Sequence, residues 1–128
     1  MTGLAGYCWA WSGEAVAKEY VPLLAEEMDL EGLDPRRPAP LPGAADLPTV
    51  IIGCGLSGVL AAIRLQQAGV PFTIVEKNPG PGGTWFENSY PGARVDVGNH
   101  FYCYSFEPAD HWSEYFAQAP ELRAYVEQ

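Results

Sequence analysis

Apolar and polar positions divide the chain into three stretches. In residues 1–34, Val16, Tyr20, Leu23, Leu24, Met28 and Leu30 can line one helix face, with Glu14, Glu19, Glu26, Glu27, Asp29 and Glu31 on the other side. Pro22 suits the opening turn of a new helix within it. Residues 35–48 hold Pro35, Pro38, Pro40, Pro42 and Pro48 and predict an extended connector. From residue 49 the pattern changes again. The β-branched run Val50, Ile51 and Ile52 predicts a strand. Leu56, Val59, Leu60, Ile63 and Leu65 then recur near helical spacing until Gly69 and Pro71. Phe72 to Val75 predicts a second strand, ending in Glu76. The last stretch, Glu121 to Gln128, starts an amphipathic helix with no Gly or Pro stop.

The junction between first strand and helix is Gly53-Cys54-Gly55-Leu56-Ser57-Gly58, a G-x-G-x-x-G run in the context that gives this motif meaning. In such a unit Gly53 permits the tight turn, Gly55 admits a pyrophosphate close to the backbone, and Gly58 lets the helix pack closely. The helix N-terminus supplies N–H groups and partial positive charge, so phosphates need no basic side chain there. Glu76 lies 18 residues after Gly58, where a carboxylate can accept hydrogen bonds from ribose hydroxyls. It would repel a ribose phosphate, which argues against NADP at this first nucleotide site. The fold class is therefore α/β: a Rossmann-like βαβ unit, an incomplete doubly wound sheet, preceded by a helical N-terminal extension.

A second glycine-rich loop follows, Lys77-Asn78-Pro79-Gly80-Pro81-Gly82-Gly83-Thr84-Trp85. Gly82 and Gly83 would let backbone N–H groups approach a ligand, and Trp85 offers a flat apolar surface beside it. A simple NAD-dependent dehydrogenase, which Glu76 alone would also suit, needs no such cover.

Charge and cysteines narrow the setting. Sixteen acidic against seven basic residues give a formal charge of −9, which argues against nucleic-acid or anionic-membrane partners. Cys8, Cys54 and Cys103 show no metal spacing and fit a reduced, cytoplasmic setting without disulfides. Cys54, inside the glycine turn, reads as a packing residue. No apolar run is long enough for a membrane span, and no secretory signal pattern opens the chain. Trp9 and Trp11 are either buried or part of an interface, and the sequence leaves both open. The N-terminal helix reads as packed on its own domain, with docking or dimerisation as the other reading. His100 and His111 read as structural, since nothing places a partner acid, nucleophile or metal ligand around either.

The run Gly82-Gly83-Thr84-Trp85, the run Tyr90-Pro91-Gly92-Ala93-Arg94-Val95-Asp96-Val97, and the segment Asn99 to Phe106 together resemble a known family. They are similar to the N-terminal FAD-binding region of Baeyer-Villiger monooxygenases, most closely the hydroxyacetophenone monooxygenase type. The likeness runs from about Pro48 to the C-terminus and continues through Trp112-Ser113, Tyr115-Phe116 and Pro120-Glu121-Leu122. Members often carry a helical N-terminal extension placed like residues 1–48.

The resemblance implies an enzyme that holds FAD, reduces it with NADPH, reacts it with O2 to a flavin peroxide, and inserts oxygen beside a ketone carbonyl. It implies that Gly53, Gly55, Ser57 and Gly58 hold the FAD pyrophosphate and Glu76 the adenosine ribose. Thr84 and Trp85 would lie along the flavin, with Asp96 and Tyr102 near the ring, and Lys77 and Gly83 among the cofactor contacts. Asp96 would orient an arginine, outside this chain, that stabilises the peroxide; its other reading is a turn or capping acid. Arg94 either contacts the nicotinamide cofactor or pairs on the surface. The sequence departs from the family in having one glycine fingerprint rather than two, and in lacking the phenylalanine-glycine-histidine-tryptophan signature. Residues 49–128 are therefore expected to be the first part of the FAD-binding domain, the NADPH site lying in a longer parent and this piece inactive alone. An N- or S-oxygenating flavin monooxygenase, or a non-catalytic FAD-binding or interaction module, stand as alternatives. Substrate and oligomeric state are not legible.

Overall fold

The structure is a computed structural model that describes Asp34 and residues 36–128. The expected helical extension lies outside the described residues apart from Asp34. Two compact units divide the chain. Cys103–Pro108 belongs to the first, while Arg36–Tyr102 and Ala109–Gln128 form the second. Within the first, the rings of Tyr104 and Phe106 stack at 5.2 Å.

In the second unit, β1 (Thr49–Ile52) and β2 (Phe72–Val75) form a parallel pair in the register Thr49 to Phe72 through Ile52 to Val75. Between them runs α1 (Leu56–Ala68), which packs on both strands. All three elements follow the sequence expectation. Gly69 ends α1 in the left-handed conformation at φ 76°, and the Val70 N–H reaches back to the Leu65 carbonyl at 2.9 Å. That closure satisfies carbonyls the helix end would otherwise orphan and buries Val70. Along both strands exposure alternates, so the face away from α1 presents Val50, Ile52 and Val75, with Ile52 88% exposed.

The proline connector is only partly extended. Ala44–Asp46 forms a 3-10 turn, Ala44 packs against Ala68 and Val70, and the Leu41 N–H donates to the Ala68 carbonyl at 2.9 Å. Prolines set the local backbone, but a small residue fitting against the end of α1 decides where it docks.

The remainder contains two further helices, the single turn α2 (Thr84–Glu87) and α3 (Ala119–Val126). α3 starts two residues before the expected Glu121, because Pro120 is well suited to a first helical turn. Its buried face carries Leu122, Tyr125 and Val126. A short antiparallel contact joins residues 93–95 to 117–119 through Val95 N–H to the Ala117 carbonyl and Ala119 N–H to the Ala93 carbonyl. Around it Val95, Ala117 and Leu122 form the tightest core of the unit, flanked by Trp85, Tyr102 and Trp112. Asn99, 2% exposed, satisfies the chain here: its amide donates to the Glu114 carbonyl and its oxygen accepts from the Ala117 N–H, both at 2.6 Å.

Candidate functional site

The first glycine turn leaves β1 through Gly53, whose φ of 97° is strained for any side chain. Its N–H is tied to the Val75 carbonyl at 2.8 Å, which sets the turn over the end of β2. Gly58 is required for a different reason from the one its spacing suggested. A Cβ there would stand 2.1 Å from the Gly53 carbonyl oxygen, so the turn itself excludes it, while the strand side chain of Ile51 is 3.6 Å away.

α1 begins without a side-chain cap and without an acidic residue in its first turn. The first bond of its ladder is Val59 N–H to the Gly55 carbonyl at 3.0 Å. The N-cap residue is Gly55, which has no side chain to close this positive end of the helix.

The second glycine loop closes directly on this turn. Gly82 donates its N–H to the Cys54 carbonyl at 2.9 Å. A Cβ on Gly83 would lie 2.8 Å from the Gly55 Cα, and one on Gly55 would lie 3.4 Å from the Gly83 Cα. Gly55 therefore makes room for the second loop, and the Gly82 amide, expected to be offered to a ligand, is used inside the protein. From Gly83 the chain turns into α2, which presents Thr84 and Trp85.

Between the loops lies a groove of about 400 Å3. Its floor is Ile52, Gly53, Gly55 and the first turn of α1 through Leu56, Ser57 and Gly58; its other wall is Gly82, Gly83, Thr84, Trp85 and Tyr102. The Trp85 Nε1–H donates to the Tyr102 hydroxyl at 3.2 Å, with the rings edge to face at 5.7 Å. That fixes an aromatic corner at the end of the groove away from the turn.

Eight of the residues expected from sequence are brought together here: Gly53, Gly55, Ser57, Gly58, Gly83, Thr84, Trp85 and Tyr102. Four are not among the groove's walls. Glu76 sits beside it, with Oε2 accepting the Cys54 N–H at 2.6 Å and Oε1 accepting the Asn78 N–H at 2.8 Å. These backbone bonds, Asn78 first and Cys54 next, hold its carboxyl below the usual glutamate range. Lys77 points to solvent and pairs with Glu87 at 2.7 Å. Arg94 pairs with Glu114 at 2.9 Å, which is the surface pairing of its two readings. Asp96 is exposed, at a bend whose neighbour Val95 is buried in the core.

Sequence reasoning missed two contributors. Neither the role of the Cys54 backbone nor that of Asn99 has a local signal, since both depend on loops arriving from far along the chain. His100 and His111 take part in aromatic contacts with Tyr115 and Trp112. Among the described residues no cluster suited to a metal ion occurs, and no helix is long and apolar enough to cross a membrane.

Comparison with known proteins agrees with this geometry. A family model described as an NAD(P)-binding Rossmann-like domain matches residues 51–119. Over 91 residues the sequence is 50% identical to a Baeyer-Villiger monooxygenase of Pseudomonas aeruginosa, covering 70% of this chain and 17% of that protein. Among solved structures, an oxidized steroid monooxygenase bound to NADP superposes with a TM-score of 0.59 at 40% identity, over 63% of this chain and 16% of the other. A complex of OTEMO with FAD and NADP gives a TM-score of 0.58 at 39% identity, over 62% and 16%. The chain thus spans about a sixth of the length of these relatives. The Baeyer-Villiger resemblance seen in the sequence is supported by the Pseudomonas aeruginosa relative, and the solved structures are a monooxygenase bound to NADP and a complex with FAD and NADP.

Proposed function

The chain belongs to the NAD(P)-binding Rossmann-like domain family, and on that premise we propose that its groove holds FAD within an NADPH- and O2-dependent Baeyer-Villiger monooxygenase. The observation that carries this reading is the closure of the second glycine loop on the first. The closed pair makes a cradle that runs from the first turn of α1 at one end to the Trp85–Tyr102 corner at the other. A two-nucleotide cofactor with a flat ring system needs both ends.

In this reading the first turn of α1, with Gly53, Gly55, Ser57 and Gly58, takes the pyrophosphate through backbone N–H groups. Glu76 takes the adenosine ribose, and its anionic carboxylate disfavours a ribose phosphate. Gly83, Thr84, Trp85 and Tyr102 cover the cofactor and keep water from it. Bound FAD supplies the redox chemistry with O2 that this chain's side chains lack. The substrate is a small ketone, converted to an ester or lactone, and NADPH binds elsewhere in the enzyme. Asp96, exposed at a bend, would orient a cation brought by another part of the enzyme. Arg94 and Lys77, both engaged in surface pairs, serve the cofactor only if those pairs rearrange. The hydroxyacetophenone type is the finer assignment we favour, on the resemblance of the runs at 82–85, 90–97 and 99–106. A cytoplasmic enzyme is the setting we favour, since Cys8, Cys54 and Cys103 are three cysteines at uneven spacing.

The test is an absorbance spectrum of the purified chain after incubation with FAD and gel filtration. Flavin bands near stoichiometric level are expected. Glu76→Ala should weaken binding by about ten- to a hundredfold, the loss typical of charge-assisted hydrogen bonds. A colourless wild-type protein that is folded by circular dichroism would remove FAD from this groove.

A further inference from the structure

We infer that Glu76 is a positioning residue for the whole groove: its carboxylate latches the first glycine turn, and through the Cys54 backbone it fixes the second glycine loop.

The argument starts from the freedom of the turn. Gly53, at φ 97°, lies where its backbone is not restrained by a side chain, so the peptide between Gly53 and Cys54 needs something else to choose its orientation. Glu76 makes that choice. Its Oε2 accepts the Cys54 N–H at 2.6 Å, a short bond to an ionised acceptor. Its other oxygen is held by the Asn78 N–H at 2.8 Å, so the carboxylate cannot swing away with the turn.

Cys54 then passes the constraint on. Its carbonyl accepts the Gly82 N–H at 2.9 Å. Only the two torsions of Cys54 separate the bond to Glu76 from the bond to Gly82. Around Gly82 the loop's other bonds run to α2 just after it, where the Gly82 and Gly83 carbonyls accept the Trp85, Phe86 and Glu87 N–H groups, while Pro79 and Pro81 have no N–H to give; the Gly82–Cys54 bond is the one that ties it to the first turn. Its approach to the turn is nonetheless close, with the Gly83 position allowing no Cβ against the Gly55 Cα. If the Cys54 peptide is released, Gly82 loses its acceptor, and the wall formed by Thr84 and Trp85 loses its bond to the first turn while Trp85 keeps its bond to Tyr102. A carboxylate has about four lone-pair sites, so each oxygen can hold its amide and still accept a hydroxyl. The significance for cofactor binding rests on the FAD reading above: the ribose would land on a carboxylate already immobilised, in a groove already closed.

The test is backbone amide hydrogen exchange, followed by NMR on the full chain without cofactor. In Glu76→Ala the Cys54 and Asn78 amides lose their acceptor directly, so the informative amide is Gly82, which does not touch Glu76. Its exchange should accelerate at least about tenfold, while the Leu122 amide in α3, bonded to the Gln118 carbonyl, stays within about twofold. Unchanged Gly82 beside faster Cys54 and Asn78 would overturn the latch. If Leu122 also loses protection, the variant has unfolded and Glu76→Gln decides. Its single amide oxygen can serve one of the two N–H groups, and Gly82 must then follow Cys54, accelerated or protected, whatever Asn78 does. Gly82 exchange that departs from that of Cys54 would overturn the proposal. Since no cofactor is present, a chain that fails to bind FAD yet shows this coupling keeps the latch and loses only the FAD assignment.

Discussion

Residues 49–76 and the later part of the same unit are built on opposite plans. The first owes its shape to backbone bonding: a parallel ladder, a helix of 13 residues and a glycine closure between them. The later part, residues 77–102 and 109–126, has one helical turn, one 3-10 turn and an eight-residue helix. Its shape comes from side chains reaching backbone, as Asn99 does to Glu114 and Ala117, and as Trp112 does to the Ala109 carbonyl. Burial runs the other way. Val95, Ala117 and Leu122 are at most 2% exposed, whereas the regular half buries Ala62, Ala68 and Val70 and leaves Val50, Ile52 and Val75 open. Backbone bonding can be complete within a βαβ unit, but parallel strands bury their side chains only when both faces are covered.

The largest effect should come from the turn that opens the regular half. Gly58→Ala places a methyl 2.1 Å from the Gly53 carbonyl oxygen, and should cost about 3 kcal/mol in urea denaturation, as overpacking against rigid backbone does. If α1 amides exchange faster while those of α3 keep their protection, the two halves are separately stabilised; joint loss would make them one cooperative unit.

Next comes Asn99→Ala, which strips partners from two backbone groups in the later half and should cost about 2 kcal/mol. The expected pattern is the converse of Gly58→Ala, with the Ala117 and Leu122 amides losing protection and those of α1 keeping it.

Trp85→Phe tests the later half where it lines the groove. Loss of the hydrogen bond to Tyr102 should cost about 1 kcal/mol, and a double-mutant cycle with Tyr102→Phe should return most of it as coupling. Zero coupling would leave Trp85 acting by packing alone.

The smallest effect is expected from Arg94→Ala, which breaks an exposed pair with Glu114 and should move Tm by under about 2 °C. Its acid limb is the sharper readout. Glu114 is held below the ordinary glutamate range by Gln118 first and Arg94 next. A lowered folded pKa gives stability that is complete above the unfolded value and fades as pH falls through the folded one. Removing Arg94 should therefore flatten the decline of stability on the acid side of the ordinary glutamate range. An unchanged acid limb would assign the shift to Gln118.

How much could be read from sequence follows the same division. β1, α1 and β2 were legible almost residue by residue, because alternation, helical spacing and the Gly69–Pro71 stop are local signals. The groove was legible wherever its residues lie in the two glycine loops. Tyr102 came from the family resemblance, and it does line the groove. What stayed hidden depends on distant arrivals. Asn99 is one polar residue among many until the 114–117 stretch folds over it, and Ala44 is an undistinguished alanine in a proline tract until it meets Ala68 and Val70. Asp96, expected near the ring by resemblance alone, is exposed, while its neighbours Ala93 and Val95 are buried, a pattern that carries no local sign of a site.

The position of Cys54 has a chemical consequence. Partial burial and the neighbouring Glu76 carboxylate both push its thiol pKa up, burial being the larger cause. Only the thiolate attacks electrophiles or is readily oxidised. A sulfur set in this glycine turn is thereby kept in its unreactive form, and alkylating reagents at neutral pH should modify it more slowly than an unfolded cysteine.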